Sequence, residues 1–264
     1  MRKLLVAVTL ALSATTAYAG PAGNPSAPQL IEEGFFISRD SWMNFRIGYE
    51  GSFITDGRMK QRTESSGRVD NFRQEYNAGT FTLNILERVD VFGVFGSARM
   101  KADWRITPAL GAARIETQSK YQFLWAVGGN ILLFDWGNTG LGIAGRFTRT
   151  NPSLEWLTSN GTGFATDGAK FRYYQWQVDL ALSHRIDIFI PYVGIKFSGA
   201  RARIRTLTST AIANNGAGSI HMRNRDYVGA VIGTTLTSGK YFMLNIEGRF
   251  VDEEAVSITG EFRF

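Results

Sequence analysis

The side chains that could do chemistry in this chain are charged residues set at alternate positions within apolar stretches. They are Arg46, Glu50, Arg99, Lys101, Lys120, Arg146, Asp179, Lys196, Glu247 and Arg249. A strand turns successive side chains to opposite faces, so this spacing gathers the charges on one face and the apolar residues on the other. Rings of charge select the ions that enter a pore. The sequence therefore predicts a pore lining, with a mild anion preference from its basic excess. The alternative is that these charges pair across the lumen and satisfy one another.

Other groups that could support catalysis or bind a cofactor are weaker candidates. The stretch 140–145 matches G-x-G-x-x-G, but it lies within a strand, whereas a dinucleotide site needs it between a strand and a helix. Glycines inside a strand indicate curvature or close packing. His184 and His221, the two histidines, fall at opposite ends of the predicted strands, so no metal site is expected. His221 with Asp226 is the one local acid–base candidate, and a solvated loop histidine is the preferred interpretation. We expect no enzyme and no cofactor.

The N-terminal residues predict export. Arg2 and Lys3 precede an apolar run, and Ala17-Tyr18-Ala19 forms an A-x-A site, so residues 1–19 are expected to be a cleaved signal peptide. The run is shorter than the roughly 20 residues of a spanning helix. The formal charge of +6 is too mild to predict nucleic-acid binding, and the chain has no cysteine, which excludes disulfides.

Alternating apolar and polar residues predict the series of strands that would position these charged residues. The expected strands are 42–54, 73–86, 90–104, 119–133, 139–149, 171–184, 189–201, 224–237, 240–251 and a last one ending at Phe264. On the third strand the pattern places Arg99 and Lys101 on the lumen side. The residues that it places on the lipid side are Phe92, Val94, Gly96, Ala98, Met100, Ala102 and Trp104. Connectors are long after strands one, three, five and seven, and short after the even-numbered strands, which is typical of outer-membrane barrels.

We therefore predict an all-β fold: a transmembrane antiparallel up-and-down β-barrel of about ten strands, or alternatively twelve, with long extracellular loops and short periplasmic turns. Residues 20–40 are expected to be a periplasmic or lumenal arm, and 41–264 the barrel. Trp42, Trp104, Trp136 and Tyr241 are expected at the membrane interfaces. Phe264 at the end of the last strand is expected to act as an assembly signal. A soluble β-sandwich remains the structural alternative.

Several stretches resemble the major outer membrane porin family of chlamydiae. They are Gly23-Asn24-Pro25 with Pro28, Arg46 to Gly51, Glu87 to Phe92, Trp176 to Ser183, Pro191 to Lys196, Gly233-Thr234-Thr235, Asp252-Glu253 and Phe262-Arg263-Phe264. The resemblance runs in patches over the mature chain and is densest after residue 174. It implies a general porin of the outer membrane with surface loops. The disulfide cross-links of that family are not carried over, because this chain has no cysteine, and its larger pore is not expected in a shorter chain.

The expected function is porin-like: passive diffusion of small hydrophilic solutes or ions across the outer membrane. A barrel of about ten strands leaves little internal space, so the pore is expected to be narrow, and the arm at 20–40 could plug it. Outer-membrane lipids, small solutes and the barrel-assembly machinery are the expected partners, with a homo-oligomer as an option and nucleic acid excluded. The alternatives are a structural or adhesive surface barrel that displays its loops, and a small-barrel hydrolase.

Overall fold

The fold is described here from a computed structural model that covers residues 20–21, 23–37, 41–62, 68–106, 113–166, 168–205 and 219–264. The expected signal peptide lies outside these residues. The described elements are one short helix, α1 (Ala27–Leu30), and the strands β1 (Met43–Asp56), β2 (Met59–Gln61), β3 (Arg68–Ile85), β4 (Val89–Ile106), β5 (Ala113–Ser119), β6 (Gln122–Trp136), β7 (Thr139–Thr150), β8 (Leu154–Ser159), β9 (Thr162–Phe164), β10 (Lys170–His184), β11 (Phe189–Arg205), β12 (Ser219–Asn224), β13 (Val228–Thr237), β14 (Phe242–Phe250) and β15 (Glu254–Arg263). Within the described ranges, no helix has the length and apolarity to cross a membrane.

Ten of the described strands close an antiparallel barrel in the order β1, β3, β4, β6, β7, β10, β11, β13, β14, β15. The ring closes where β1 pairs with β15, with Arg46 opposite Arg263 and Phe53 opposite Val256. Short turns join β3 to β4, β6 to β7, β10 to β11 and β13 to β14, and we call this side of the barrel the turn end. The opposite side is the loop end. The predicted fold class and strand number are confirmed.

Near the turn end the barrel has an apolar exterior and a polar interior. On β10, Leu180 and Leu182 are exposed, whereas Gln177, Asp179 and Ser183 are buried. Apart from β4, and from Lys120 at the start of the predicted strand 119–133, the barrel strands present the faces that their sequence patterns predict, as the burial of β1, β10 and β15 illustrates. In a lipid environment this arrangement buries apolar side chains in the hydrocarbon and keeps polar ones inside.

Near the loop end the apolar and polar faces are exchanged, because the longest strands continue beyond the part of the barrel whose exterior is apolar. Their inward residues there are apolar and, together with residues of the short strands β2 and β8, form one buried cluster, which includes Met59, Phe72, Met100, Trp104, Leu157, Phe171, Tyr173 and Ile204. Their outward residues are charged, as Arg99, Lys101 and Arg105 on β4 show. This part of the molecule is therefore organised like a water-soluble β-protein, with its apolar side inward.

The face prediction for β4 was wrong for this reason. Phe92, Val94, Met100 and Trp104 point inward, and Trp104 is fully buried and so lies away from any interface. Arg99 and Lys101 point outward. In the sheet register they lie opposite Glu75 and Arg73, which are on the outer face of β3. Both faces of β4 carry apolar residues in some part of the strand, so alternation alone could not tell which face contacts lipid.

Parts of the four regions predicted as long loops form additional strands at the loop end. β5 pairs with the outer half of β4, β8 with β5 and β9 with β8. On the other side of the barrel, β12 pairs with the outer half of β11, and β2 pairs with β12. These short strands extend the barrel wall and enclose the apolar cluster.

Candidate functional site

The candidate site is the lumen, where one ion pair crosses the barrel from wall to wall. The Arg146 guanidinium on β7 donates to both carboxylate oxygens of Glu50 on β1, with N–O distances of 2.8 and 2.6 Å. Three strands separate β7 from β1 on one side and five on the other. Tyr76 donates to the same carboxylate over 2.6 Å. A bidentate arginine–carboxylate pair is among the strongest polar contacts, so it holds the two walls together.

A second group of charges lies nearer the turn end. Arg46 pairs with Asp90 at 2.5 Å and with Glu261 at 2.9 Å, and these three residues come from three different strands. Thr82 donates to Glu261 over 2.8 Å, and Asn84 donates to Asp90 over 2.7 Å. Every charge in this group therefore has an opposite charge or a polar partner within hydrogen-bonding distance.

The third group lies on the turn-end side of the apolar cluster and includes Asp252 and Glu253, the two buried residues of the turn at 251–253. Lys196 contacts Asp252 at 2.8 Å and Glu253 at 2.7 Å. Arg249 contacts Glu253 at 2.6 Å and Glu247 at 3.2 Å. The geometry of these pairs agrees with the second interpretation of the sequence, in which charges inside the lumen pair with one another.

The predicted pore-lining residues divide into two sets. Seven are buried and inward: Arg46, Glu50, Arg146, Asp179, Lys196, Glu247 and Arg249. Arg99 and Lys101 are on the outer face, where Arg99 pairs with Glu75. Lys120 is exposed in the segment between β5 and β6, and its N–H donates to the Ser153 carbonyl. The placement of these three in the lumen was wrong; the role of the other seven in conduction stays a prediction.

Three buried acidic residues were missed. Asp90 lies on β4, whose faces were inverted, and Asp252 and Glu253 directly follow the predicted strand 240–251, where no lumenal residue was expected. With them, the buried charged side chains of the described residues number seven acidic and five basic. The basic excess that supported an anion preference therefore lies outside the lumen. The motif Asp252-Glu253, quoted for the family resemblance, was the one sequence signal that could have drawn attention to this turn.

The arm at 20–37 enters the lumen from the turn end and contacts inward-facing side chains. The Gly23 N–H donates to Glu247 over 2.9 Å, and the amide of Asn84 donates to the Pro28 carbonyl over 3.1 Å. The Arg263 guanidinium donates to the Ile31 carbonyl. Leu30 and Ile31 pack on Ile190 and Met243. The arm therefore lies inside the barrel, held by hydrogen bonds, a small apolar cluster, two ion pairs and stacking of Phe35 and Phe36 on aromatic rings of the wall.

The glycine-rich stretch of β7 explains how the arm fits against the wall. A Cβ atom on Gly140 would come within 2.2 Å of the Ser26 hydroxyl, and one on Gly142 within 2.9 Å of Pro25. The close-packing interpretation of this motif is confirmed. The two glycines give the arm room that any larger residue would take.

Side chains and the arm fill much of the lumen that the described residues enclose. Between the arm and the wall, a cavity of about 60 Å³ remains, lined by residues such as Arg46, Glu50 and Arg146. This volume is enough for a few water molecules. Nearer the loop end, the rings of Phe72 on β3 and Tyr173 on β10 stack with centroids 5.4 Å apart, although three strands separate them along the wall. The lumen is thus filled at both ends.

The remaining predicted residues have the following positions. His184 lies at the turn end, with its Nδ1 2.8 Å from the Thr139 hydroxyl, and His221 lies on β12 at the loop end. Asp226, the proposed partner of His221, pairs with Arg225 at 3.1 Å. The Phe264 N–H donates to the Phe45 carbonyl over 3.0 Å and closes the barrel seam, while its role as an assembly signal stays a prediction.

Comparison with known sequences finds one protein family. A profile of the family described as Chlamydia major outer membrane protein matches residues 156–215. The chain is 24% identical over 404 residues to the major outer membrane porin of Chlamydia muridarum, with 100% of each chain covered. It is 25% identical over 393 residues to the major outer membrane porin, serovar E, of Chlamydia trachomatis, again with 100% of each covered. These alignments are longer than this chain of 264 residues, so the relatives carry insertions that it lacks.

Comparison with solved structures finds other membrane barrels at low identity. The outer membrane protease OmpT from Escherichia coli aligns with a TM-score of 0.44 and 12% identity, over 84% of this chain and 96% of that one. The COG4313 outer membrane channel from Pseudomonas putida F1 aligns with a TM-score of 0.43 and 9% identity, over 95% of this chain and 98% of that one.

Proposed function

Because this chain is a member of the chlamydial major outer membrane protein family, we propose that it is an outer-membrane porin for small hydrophilic solutes or ions. The relatives that align with the whole of this chain carry the name major outer membrane porin. The protein resides in the outer membrane, with the turn end facing the periplasm and the loop end facing outward, as the short and long connectors of such barrels do.

The observation that carries this proposal is the charged lumen. Seven predicted lining residues are buried on the inner wall of the barrel, where an inert structural barrel could hold apolar residues at lower cost. Charged side chains that face one another across a lumen can exchange their partners for water and ions when the space between them opens. We infer that the filled lumen is the closed state of the channel.

The arm is the element whose removal opens the periplasmic half. Its contacts with the wall include single hydrogen bonds to backbone groups, such as that from Asn84 to the Pro28 carbonyl. Each bond of this kind contributes about 1 kcal/mol net, and water can replace it. The covalent link through residue 41 keeps the displaced arm close, so closure is readily reversible.

A second candidate function is favoured by the apolar cluster at the loop end. Phe72 and Tyr173 belong to the barrel wall itself and cannot leave as the arm can. A barrel sealed in this way would serve as a structural or adhesive protein that displays its loops. This candidate and the porin differ in one measurable property, which is conductance.

The test is single-channel recording in planar bilayers with the mature chain, a variant lacking residues 20–37, and that deletion combined with Phe72→Ala and Tyr173→Ala. We expect small, intermittent steps from the mature chain, larger steps from the deletion, and the largest from the combined variant. Tyr174→Ala, which changes a neighbouring outward side chain, is the matched control and should conduct like its parent. Absence of conductance in all variants, with folding verified by heat-modifiable gel mobility, would overturn the porin proposal in favour of the sealed barrel.

A further inference from the structure

The buried charges inside the barrel do not balance, and the imbalance lies in one place. Glu50 is matched by Arg146, and the two acids of the second group are matched by Arg46 and by Arg263, which lies opposite Arg46 in the sheet. The buried charged residues that remain are Asp179, Glu247, Asp252, Glu253, Lys196 and Arg249. Among the described residues, these four acids and two bases leave an excess of two negative charges.

Within the described structure, Asp179 is the acid of this set that has no basic side chain at ion-pairing distance. It lies on the inner face of β10 and is 2% exposed, and neither of its carboxylate oxygens has a well-aligned hydrogen-bond donor among the described residues. Lys196 lies directly opposite it on β11. The Lys196 ammonium is directed instead to Asp252 and Glu253, at 2.8 and 2.7 Å. A buried carboxylate in this position is strongly destabilising unless another group neutralises it.

The second base of the set is also committed to other partners. The guanidinium of Arg249 contacts Glu253 at 2.6 Å and Glu247 at 3.2 Å, and it also donates to two serine hydroxyls at 3.0 and 3.1 Å. Glu247 acts on Asp179 with a charge of the same sign. Asp179 therefore faces a like charge, and the charge that neutralises it is expected to come from a ligand.

A second buried polar group beside Asp179 points to the same ligand. Gln177 lies two residues away on the same face of β10 and is fully buried. Its amide oxygen and nitrogen have no well-aligned hydrogen bond within the described structure, although the amide is close enough to the Asp179 carboxylate to interact with it. Buried amides normally have partners for both atoms. Two carboxylate oxygens and one amide oxygen are thus available next to one another.

We propose that Asp179 and Gln177 bind a hard divalent cation of the calcium type inside the lumen. Carboxylate and amide oxygens are ligands that calcium prefers, and its flexible coordination allows water to complete the shell. A proton on Asp179 would provide a single hydrogen bond and would leave the second negative charge of the set unmatched. One divalent ion neutralises the whole excess.

The ligand set also indicates how tightly the ion is held. Among the described residues, no group of three acidic or histidine side chains is placed to hold a metal ion, so the site depends on one carboxylate, one amide and water. Few charged ligands give weak binding, and we expect a dissociation constant of about 1 mM. The ion stabilises the folded barrel whether or not the barrel conducts.

The experiment measures urea unfolding of the refolded mature chain in vesicles of zwitterionic lipid, which carry no net charge to attract calcium. Calcium chloride at about 10 mM, or choline chloride of equal ionic strength, is present throughout, and we expect calcium to raise the folded-to-unfolded ratio about tenfold by mass action. Asp179→Asn should abolish this gain and should still fold, because it removes an unpaired charge. The matched control Asp187→Asn removes the same charge from the exposed turn between β10 and β11 and should keep the gain.

Gln177→Met keeps the test usable if Asp179→Asn does not refold, and the gain should then fall to about twofold, as for a site that binds about tenfold more weakly. No gain in the parent, or an equal gain in Asp179→Asn, would overturn the proposal. An equal, Asp179-dependent gain with sodium chloride at the same concentration would assign the position to a monovalent cation instead. Without a calcium effect, stability that falls from about pH 6 to about pH 8 in the parent but not in Asp179→Asn would assign it to a proton.

Discussion

At the scale of single residues, the lumen is stabilised by charges that are buried together. Arg146 and Glu50 expose 2% and 5% of their side chains, so both are shielded from bulk water when the arm is in place. Breaking such a pair leaves a buried charge without a partner, which costs far more than the pair contributes by itself. The stability of the barrel should therefore depend on matched charges more than on any one charged residue.

Arg146→Gln tests this dependence, since it leaves the Glu50 carboxylate in place with Tyr76 as its remaining donor. We expect a loss of about 3–5 kcal/mol in the free energy of unfolding, measured by urea titration of the barrel in lipid vesicles. Adding Glu50→Gln should recover most of this loss. The control Arg149→Gln changes an exposed outward residue of the same strand and should cost at most about 0.5 kcal/mol. A double variant as unstable as the single one would contradict the pairing argument.

At the scale of elements, the decisive feature is the inversion of inside and outside along β4. Its turn-end half faces lipid with Val91 and Phe95, and its loop-end half faces water with Arg99 and Lys101. The interior changes in the opposite sense, from Asp90 to Met100 and beyond. One strand thus contains a segment that faces lipid and a segment that faces water. The apolar residues point outward in the first segment and inward in the second.

Met100 and Lys101 are neighbours that this inversion places on opposite faces. Met100→Asp puts an unpaired charge into the apolar cluster and should prevent folding, whereas Lys101→Asp, on the exposed face, should change stability by about 0.5 kcal/mol or less. If Met100→Asp gives no folded protein, Met100→Ala provides the measurable value, with an expected loss of about 2–5 kcal/mol. Heat-modifiable gel mobility reports folding, and urea titration reports the free energy. The reverse order of sensitivity would restore the original assignment of faces.

At the scale of the whole molecule, charge is separated between the inside and the outside of the barrel. The chain has a formal charge of +6, yet its buried charged residues include more acidic than basic side chains. Much of the basic excess lies on the outer surface of the loop end, in residues such as Arg172, Arg201 and Arg205. An acidic lumen attracts cations.

An opened barrel should therefore prefer cations. In a potassium chloride gradient across a bilayer, the variant lacking residues 20–37 and carrying Phe72→Ala and Tyr173→Ala should show a reversal potential of the sign set by potassium. Asp252→Asn with Glu253→Gln should shift this potential towards the chloride value, because both residues are buried next to the lumenal Lys196. A chloride-dominated potential in the opened barrel would return the prediction to the anion preference expected from the sequence.

The sequence by itself determined the elements whose two faces meet different solvents. Strands with a consistent apolar side, such as β10 and β15, could be assigned to the correct residues and the correct faces, and the short turns fixed their antiparallel order. Seven of the inward charged residues followed from the same alternation. This information is local, because a period of two requires only neighbouring residues to express it.

Only the tertiary structure decided what the two faces of β4 contact, which loops extend the wall, and what fills the lumen. The Arg146–Glu50 pair joins residues 96 positions apart, and the arm reaches Glu247 across 224 positions. Such contacts depend on barrel closure, which brings distant segments within a few ångströms without leaving a periodic signal in the chain. Alternation reports that two faces differ; it cannot report which solvent each face meets, because that depends on how far the strand extends beyond the membrane.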